Sequence, residues 1–308
     1  MKKGFFYSLI VLLLLIPIVL LVLTSNEFTS ANEKDLTRKL VGRELANYAA
    51  SVDNDFPRAL EISSKSAVIA LVAEIVSTGQ PAVNSTIALE SLLLNKTYGG
   101  NVSQLMGNNS LSEWITRLEA KSKFFGFDSN VSLVNLSISQ RSGFEVLFNA
   151  TLQVDLVSKY EGINYSRTFS TESRVSTDGI EDPLYTLSSF GLVKRQVSLN
   201  QSIIYGPEAL DQAVSTKVYL PSVSGPGFLE RLEGKTHLVY SSQGLESFVD
   251  VDEFISQGLI IKANQSHVDY YYFNDTTPAG YSVNSSEFNH PLFKIDPTNA
   301  FKYGVDLD

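Results

Sequence analysis

Phe144-Glu145-Val146-Leu147-Phe148-Asn149-Ala150-Thr151-Leu152-Gln153-Val154-Asp155-Leu156 is the stretch on which the fold turns. Val146, Phe148, Ala150, Leu152 and Val154 recur at every second position, and in an extended chain alternate side chains point to opposite faces, so these five share one. The same period runs through Val131 and Leu133 upstream and through Tyr165 to Val175 downstream, with Glu161-Gly162-Ile163-Asn164 as a hairpin connection. An antiparallel β-meander is therefore expected over 128–189.

Before Asp128 the period is helical. From Glu33, Leu36, Leu40, Leu45, Tyr48, Val52 and Phe56 recur at steps of three to five between charged residues. Asn54-Asp55-Phe56-Pro57 predicts a break or kink, because proline lacks the backbone donor and pushes the preceding residue out of the α region. A second helix follows from Pro57 to about Val76, and a third begins at Ser85 or Thr86. A fourth opens at Ser110-Leu111-Ser112-Glu113, a capping box that carries Trp114, Ile115 and Leu118 to a core. Helices packed on a meander make an α+β head.

After Phe190 the pattern reads as a separate mixed α/β module. It has a short helix at Pro207 to Val214, a turn-rich link at Ser222 to Gly227 and a helical turn at Leu229 to Leu232. Strands are expected at His237 to Tyr240, Gly258 to Ala263 and His267 to Phe273, and Asp250-Val251-Asp252-Glu253 starts a helix that Gly258 stops.

The amino terminus carries an uncharged run, Phe5 to Leu23, of nineteen residues. At 1.5 Å per residue it reaches about 28 Å, matching a hydrocarbon core of ~30 Å. The expectation is a transmembrane helix in contact with the lipid bilayer through Phe5 to Leu23, continuing into a helical stalk. Lys2 and Lys3 before it favour a cytoplasmic amino terminus and an extracellular ectodomain, that is, a single-pass protein of the cell membrane. Thr29-Ser30-Ala31 offers an alternative, a cleavage site that would release the chain. The organisation expected is an anchor over 1–30, a stalk and helical layer over 31–127, the meander over 128–189 and the mixed module over 190–308.

Twelve of nineteen asparagines open an Asn-x-Ser/Thr triplet: Asn84, Asn95, Asn101, Asn108, Asn130, Asn135, Asn149, Asn164, Asn200, Asn264, Asn274 and Asn284. With 56 Ser and Thr in 308 residues, random placement gives roughly 3.5. The excess predicts a glycoprotein of the secretory route. The chain has no cysteine, which excludes disulfides, thiolate metal sites and a Cys nucleophile. Many acceptor sites without disulfides fit a eukaryotic ectodomain poorly; an archaeal cell surface reconciles the two.

Lys2-Lys3-Gly4 followed directly by an apolar helix resembles the class III signal of archaeal type IV pilin-like proteins. The resemblance implies cleavage between Gly4 and Phe5, a retained apolar helix, and partners among cell-envelope or pilin-like proteins. Leu9 stands at the fifth mature position, where major pilins carry the glutamate used in assembly. Gly225-Pro226-Gly227-Phe228-Leu229-Glu230-Arg231-Leu232-Glu233-Gly234 and Gly179-Ile180-Glu181-Asp182-Pro183-Leu184-Tyr185 are similar to segments of archaeal membrane-anchored proteins, a resemblance that brings no activity with it.

A search for chemistry assigns no catalytic, cofactor-binding or metal-ligating residue. Lys and Arg total 24 against 33 Asp and Glu, a net charge of −9 that disfavours nucleic acid as a partner. No Gly-x-Ser-x-Gly elbow or phosphate-cradling loop occurs. His267-Val268-Asp269 has a short ligand-like spacing but reads as an ordinary sheet face, and Asp250, Asp252 and Glu253 as capping residues. Tyr270, Tyr271, Tyr272 and Phe273 form an aromatic run that is a candidate contact surface. The expected function is an N-glycosylated surface protein with a structural, adhesive or minor pilin-like role and no catalysis. The alternative is an anchored binding or hydrolytic domain acting on envelope polysaccharide or peptide.

Overall fold

The structure, a computed structural model, describes residues 3–159, 162–199, 206–240 and 242–308; within its first helix it describes the side chains of 15–22 and of those from 34 onward. That helix, α1, spans Lys3–Thr78, 76 residues. It runs through Pro57 without the expected break. Proline removes one rung of the helical ladder, yet Val52, Phe56 and Leu60 on either side are buried, and packing of an apolar face holds a helix that propensity alone would interrupt.

The transmembrane helix is corrected. Among the described residues no helix is long and apolar enough to cross a membrane. Of the Phe5 to Leu23 run, the side chains of Leu15 to Val22 are described, and the apolar ones among them are exposed. The remainder of the Phe5 to Leu23 run lies outside the described side chains. The same helix continues without interruption into the charged segment from Lys34 to Glu44. The single-pass location, with a cytoplasmic amino terminus and an outward ectodomain, falls with the span on which it rested.

The chain forms two compact units. The first comprises Met1–Asn54, Leu118–Ser132 and Gln153–Thr168. Leu45, Tyr48, Ala49 and Val52, spaced three and four apart on one face of α1, are buried. The Tyr48 ring meets Phe127 edge-on at 4.9 Å, and its hydroxyl donates to the Leu118 carbonyl at 2.7 Å. Leu36 and Leu40 continue the periodicity but stand exposed.

The second unit comprises Asp55–Arg117, Leu133–Leu152 and Phe169–Asp308. Helix α2, Ser85–Asn95, starts on Asn84, whose side chain accepts from the Ile87 amide. It is followed by a two-residue hairpin, β1 Thr97–Tyr98 with β2 Asn101–Val102. Helix α3 spans Leu111–Phe124. Its capping box is half made: the Glu113 amide donates to Ser110 Oγ at 3.4 Å, while the Glu113 carboxylate pairs with Lys96 instead. Trp114 is buried, stacked on Phe56 at 5.7 Å, with its indole N–H on Asp55.

The meander is β3 Phe127–Ser142, β4 Glu145–Ser158 and β5 Asn164–Ser176, in the order β3-β4-β5. On β4 alternate residues from Val146 to Ser158 are buried, as the period of two requires. The Ser158 amide donates to Ile163 across the β4–β5 connection; Glu161 lies outside the described residues.

Beyond the meander regular structure is short. Helices α4 Pro183–Ser188, α5 Pro207–Thr216, α6 Phe228–Leu232, α7 Val251–Ser256, α8 Asp269–Tyr272 and α9 Pro297–Tyr303 are separated by loops. Strands β6 Leu220–Ser222 and β7 Gly244–Glu246 pair antiparallel. Isolated bridges such as Phe248 with Val268 and Tyr281 with Ile295 tie the loops together. Their core gathers Leu210, Phe248, Val268, Tyr270, Phe293 and Tyr303. The strands expected at His237 to Tyr240 and Gly258 to Ala263 do not form, and the one expected at His267 to Phe273 is largely α8. Asp250 does cap α7, its side chain accepting from the Glu253 amide, with Gly258 at φ 73° beyond the end.

Two glycines fix how closely these loops approach. A Cβ on Gly143 would lie 2.6 Å from the Gly244 carbonyl carbon, and one on Gly244 would lie 2.6 Å from that of Pro226. Backbone cannot yield as a side-chain tip can. Gly244→Ala is expected to destabilise the protein by about 2 to 3 kcal/mol, as overpacking does. Gly258→Ala, strained only by its own φ, should cost about 1 kcal/mol. Urea unfolding of both variants against the parent checks the difference.

Candidate functional site

The two sequence segments singled out by resemblance, Gly179–Tyr185 and Gly225–Gly234, meet in the interior of the second unit. Arg231, on α6, and Asp182, the N-cap of α4, are both fully buried and paired at 2.6 Å. Arg231 also donates to Asp269 at 2.8 Å, to the Leu245 carbonyl at 2.7 Å and to the Pro226 carbonyl at 3.4 Å. Asp182 further accepts from the Leu184 amide and from the Tyr219 hydroxyl. Asp269 accepts from Ser247 Oγ and from the Tyr270 amide. Charges this deep require both a counter-ion and full hydrogen bonding.

A second buried cation, Arg195, donates to the Tyr185 hydroxyl at 2.5 Å and to the Phe248 carbonyl at 2.6 Å. Tyr185 in turn bonds Ser247 at 2.9 Å. Burial alone would lower the Arg231 pKa, but Asp182 and Asp269 outweigh it and hold the guanidinium above its ordinary value. Burial pushes the Tyr185 and Tyr219 hydroxyls up, so both stay protonated donors.

The other two charged residues of the α6 segment are also buried, and each pins a different stretch of chain. Glu230 accepts from the amides of Val239 and Tyr240 at 2.7 and 2.6 Å. Glu233 accepts from the amide and hydroxyl of Ser85 at 2.7 and 2.8 Å. Burial raises the Glu233 carboxyl, but bonds from Lys235 and Ser85 hold it below its usual range.

Because Arg231, Asp182 and Asp269 are closed to solvent, the cluster presents nothing to a substrate. What it does is hold the walls of an open groove of about 490 Å³. One wall is α4 and the turn after it, from Leu187 to Phe190, which begins at Asp182. The second is the end of α8, Tyr272 and Phe273, which begins at Asp269. The third is Phe254 of α7 with Gly258, Leu259 and Ile260. Tyr185 links cluster to groove, its ring meeting Phe273 edge-on at 4.9 Å. At the rim Phe190 is 88% exposed and Ile260 96%. Phe190 has φ 55°, a left-handed conformation that is sterically costly for a residue with a Cβ.

The aromatic run is divided by the fold. Tyr270 and Tyr272 are buried, Tyr271 and Phe273 half-buried. Tyr272 and Phe273 line the groove, while Tyr271 borders a separate shallow surface with Pro278 and Asp296. Sequence reasoning missed Phe190 and Ile260. The only signal for Phe190 was a large apolar residue set between Ser188-Ser189 and Gly191, a place where turns expose side chains.

His267 and Asp269 do not form a ligand pair, since Asp269 is taken up by Arg231. His267 is buried between Tyr272 and Phe293, and its Nδ1 accepts from the Lys294 amide. Burial lowers its pKa from 6.5 to about 4. Among the described residues no group of three His, Asp or Glu is placed to hold a metal ion. Of the acceptor asparagines, Asn95, Asn101, Asn108, Asn130, Asn135, Asn164, Asn264 and Asn284 are exposed, and Asn84, Asn149 and Asn274 half-buried. Asn200 lies outside the described residues, and Gly4 and Phe5 lie in the part of α1 whose side chains are not described. Comparison with models of known families, with curated proteins and with solved structures finds no match.

Arg231→Met is expected to cost about 3 to 5 kcal/mol, because it leaves two carboxylates buried without a counter-charge. Adding Asp182→Asn and Asp269→Asn to it should restore part of that loss, which denaturant titration of the single and triple variants would measure. His267 acts through pH. Its folded pKa lies below its unfolded one, so between about pH 6.5 and 4 the unfolded state binds the extra proton and stability falls with pH. The full contribution is about 3 kcal/mol. His267→Gln should flatten that part of the stability profile, as measured by urea unfolding at a series of pH values.

Proposed function

We propose that this chain is an N-glycosylated protein with a structural or adhesive role, its partners being neighbouring envelope proteins. The observation that carries the reading is the placement of the acceptor asparagines. A glycan is bulky and hydrophilic, so its attachment point must reach solvent. Eight of the eleven described acceptors are exposed, three half-buried and none buried. Among the described residues the buried asparagine is Asn299, at 3% exposure, which opens no acceptor triplet; its amide donates to Asp296.

The acceptors are not equivalent once the chain is folded. Ser110, the hydroxyl residue of the Asn108 triplet, is buried at the start of α3. Ser266, which serves Asn264, is buried on Asp296. Thr86 donates to Asn84 itself, the N-cap of α2. These three triplets are closed to a transferase acting on the folded protein, whereas Asn135, Asn274 and Asn284 keep an exposed hydroxyl residue two positions on. Glycopeptide mass spectrometry of protein from its own cells tests the reading. Saccharide is expected on several acceptors, at highest occupancy on the open triplets; native protein with every acceptor unmodified overturns the proposal.

A further inference from the structure

Resting on that reading, we propose that Asn274 carries a glycan whose first sugar rings fold back into the groove, against Phe190, Phe273 and Ile260. Asn274 directly follows Phe273, which lines the groove. Its Oδ1 accepts from the Asp275 amide at 2.8 Å, and Nδ2, the atom that bears a glycan, has no partner among the described residues. Asp275 and Thr276 are exposed in a bend outside any helix or strand. Lys262, which lines the groove, donates to the carbonyls of Tyr272 and Asn274 at 2.7 and 2.8 Å, which brings the attachment point beside it.

The groove needs an occupant. Phe190 and Ile260 are almost fully exposed on its rim, and Phe190 is kept in a left-handed conformation that places its ring there. Strain of this kind persists where surrounding structure imposes it, characteristically at sites of contact, and clustered exposed apolar side chains mark binding surfaces. A pyranose suits such a place. One face is a sheet of C–H groups that lies on an aromatic ring, and its edge of hydroxyls can meet Ser188 at the rim. Tethering decides among occupants: a covalently attached sugar faces the groove at an effective concentration in the millimolar range, which a free peptide or lipid must exceed.

Attachment forms a bond between Asn274 Nδ2 and the anomeric carbon of a lipid-phosphate-linked saccharide. The bond from that carbon to phosphate oxygen breaks, the amide gives up one proton, and the lipid phosphate leaves with the bonding electron pair. The donor and the transferase are supplied by the cell.

The test uses full-length protein from its own cells, with Thr276→Ala to abolish the triplet while keeping Asn274, Thr276→Ser to retain it, and Phe190→Ala. Glycopeptide mass spectrometry should find saccharide on Asn274 in the parent and in Thr276→Ser, and none in Thr276→Ala. Loss of the sugar should raise binding of an apolar fluorescent dye and lower Tm by about 2 to 4 °C. In the Phe190→Ala background Thr276→Ala should change both by less than it does in the parent. Phe190 is 88% exposed, so its truncation leaves the fold intact. Saccharide on other acceptors with Asn274 bare overturns this inference alone, as does an occupied Asn274 whose removal alters neither dye binding nor Tm. Absence of saccharide from every acceptor overturns the inference together with the glycoprotein reading beneath it.

Discussion

The Arg231 guanidinium, held between Asp182 and Asp269 with no exposure to solvent, is the constraint from which the carboxy-terminal half of the second unit follows. A buried charge tolerates no loose partner, since each unpaired donor or acceptor costs its full desolvation. Its three partner segments, the starts of α4 and α8 and the β7 backbone at Leu245, therefore have one arrangement each. Glu230 and Glu233 extend the same logic to 239–240 and to Ser85. The short helix α6 together with Glu233, the residue that ends it, thus anchors five separate stretches of chain.

This explains why a region with so little regular structure is so well buried. After β5, among the described residues, strands are no longer than three residues and most pairings are single bridges. Long ladders are replaced by side chains that satisfy backbone groups: Asp296 accepts from Thr298 and Asn299, Asp250 from Glu253, and Ser189 both donates to and accepts from Val193. The accounting of backbone donors is met by scattered loop-to-loop backbone bonds, supplemented by Asp and Ser side chains. The groove inherits its rigidity from this arrangement, because two of its walls begin at residues bonded to Arg231 and the third is capped by Asp250.

The meander and the helices before it obey simpler rules. On β4 apolar burial alternates along the strand. Its other side is tied to β5 by bonds between short polar side chains, Thr151 with Ser170 and Gln153 with Ser166 and Thr168. Cross-strand hydroxyl and amide pairs of this type stabilise a sheet whose outer face meets water. Such a face accommodates acceptor asparagines without disturbing the core, and Asn149 sits on it.

What the sequence determined by itself was whatever depends on local period and local capping. The α+β class, the meander, the burial of Trp114 and the Asp250 cap were legible because each follows from the period of apolar residues or from a capping residue beside its helix. The transmembrane span was misread from hydropathy alone, and the break at Pro57 from a rule that packing overrides. The tyrosine run was misread as a strand because aromatic residues suit both structures; Asp269, drawn to Arg231, made it a helix. Only the tertiary structure decided that Asp182, Arg231 and Asp269, 49 and 38 positions apart, share one buried site. Nothing in a charged residue's neighbours reveals whether water or a distant counter-ion will solvate it. The groove was hidden for the same reason: Phe190 and Ile260 meet across a space that exists only after that charge cluster has closed.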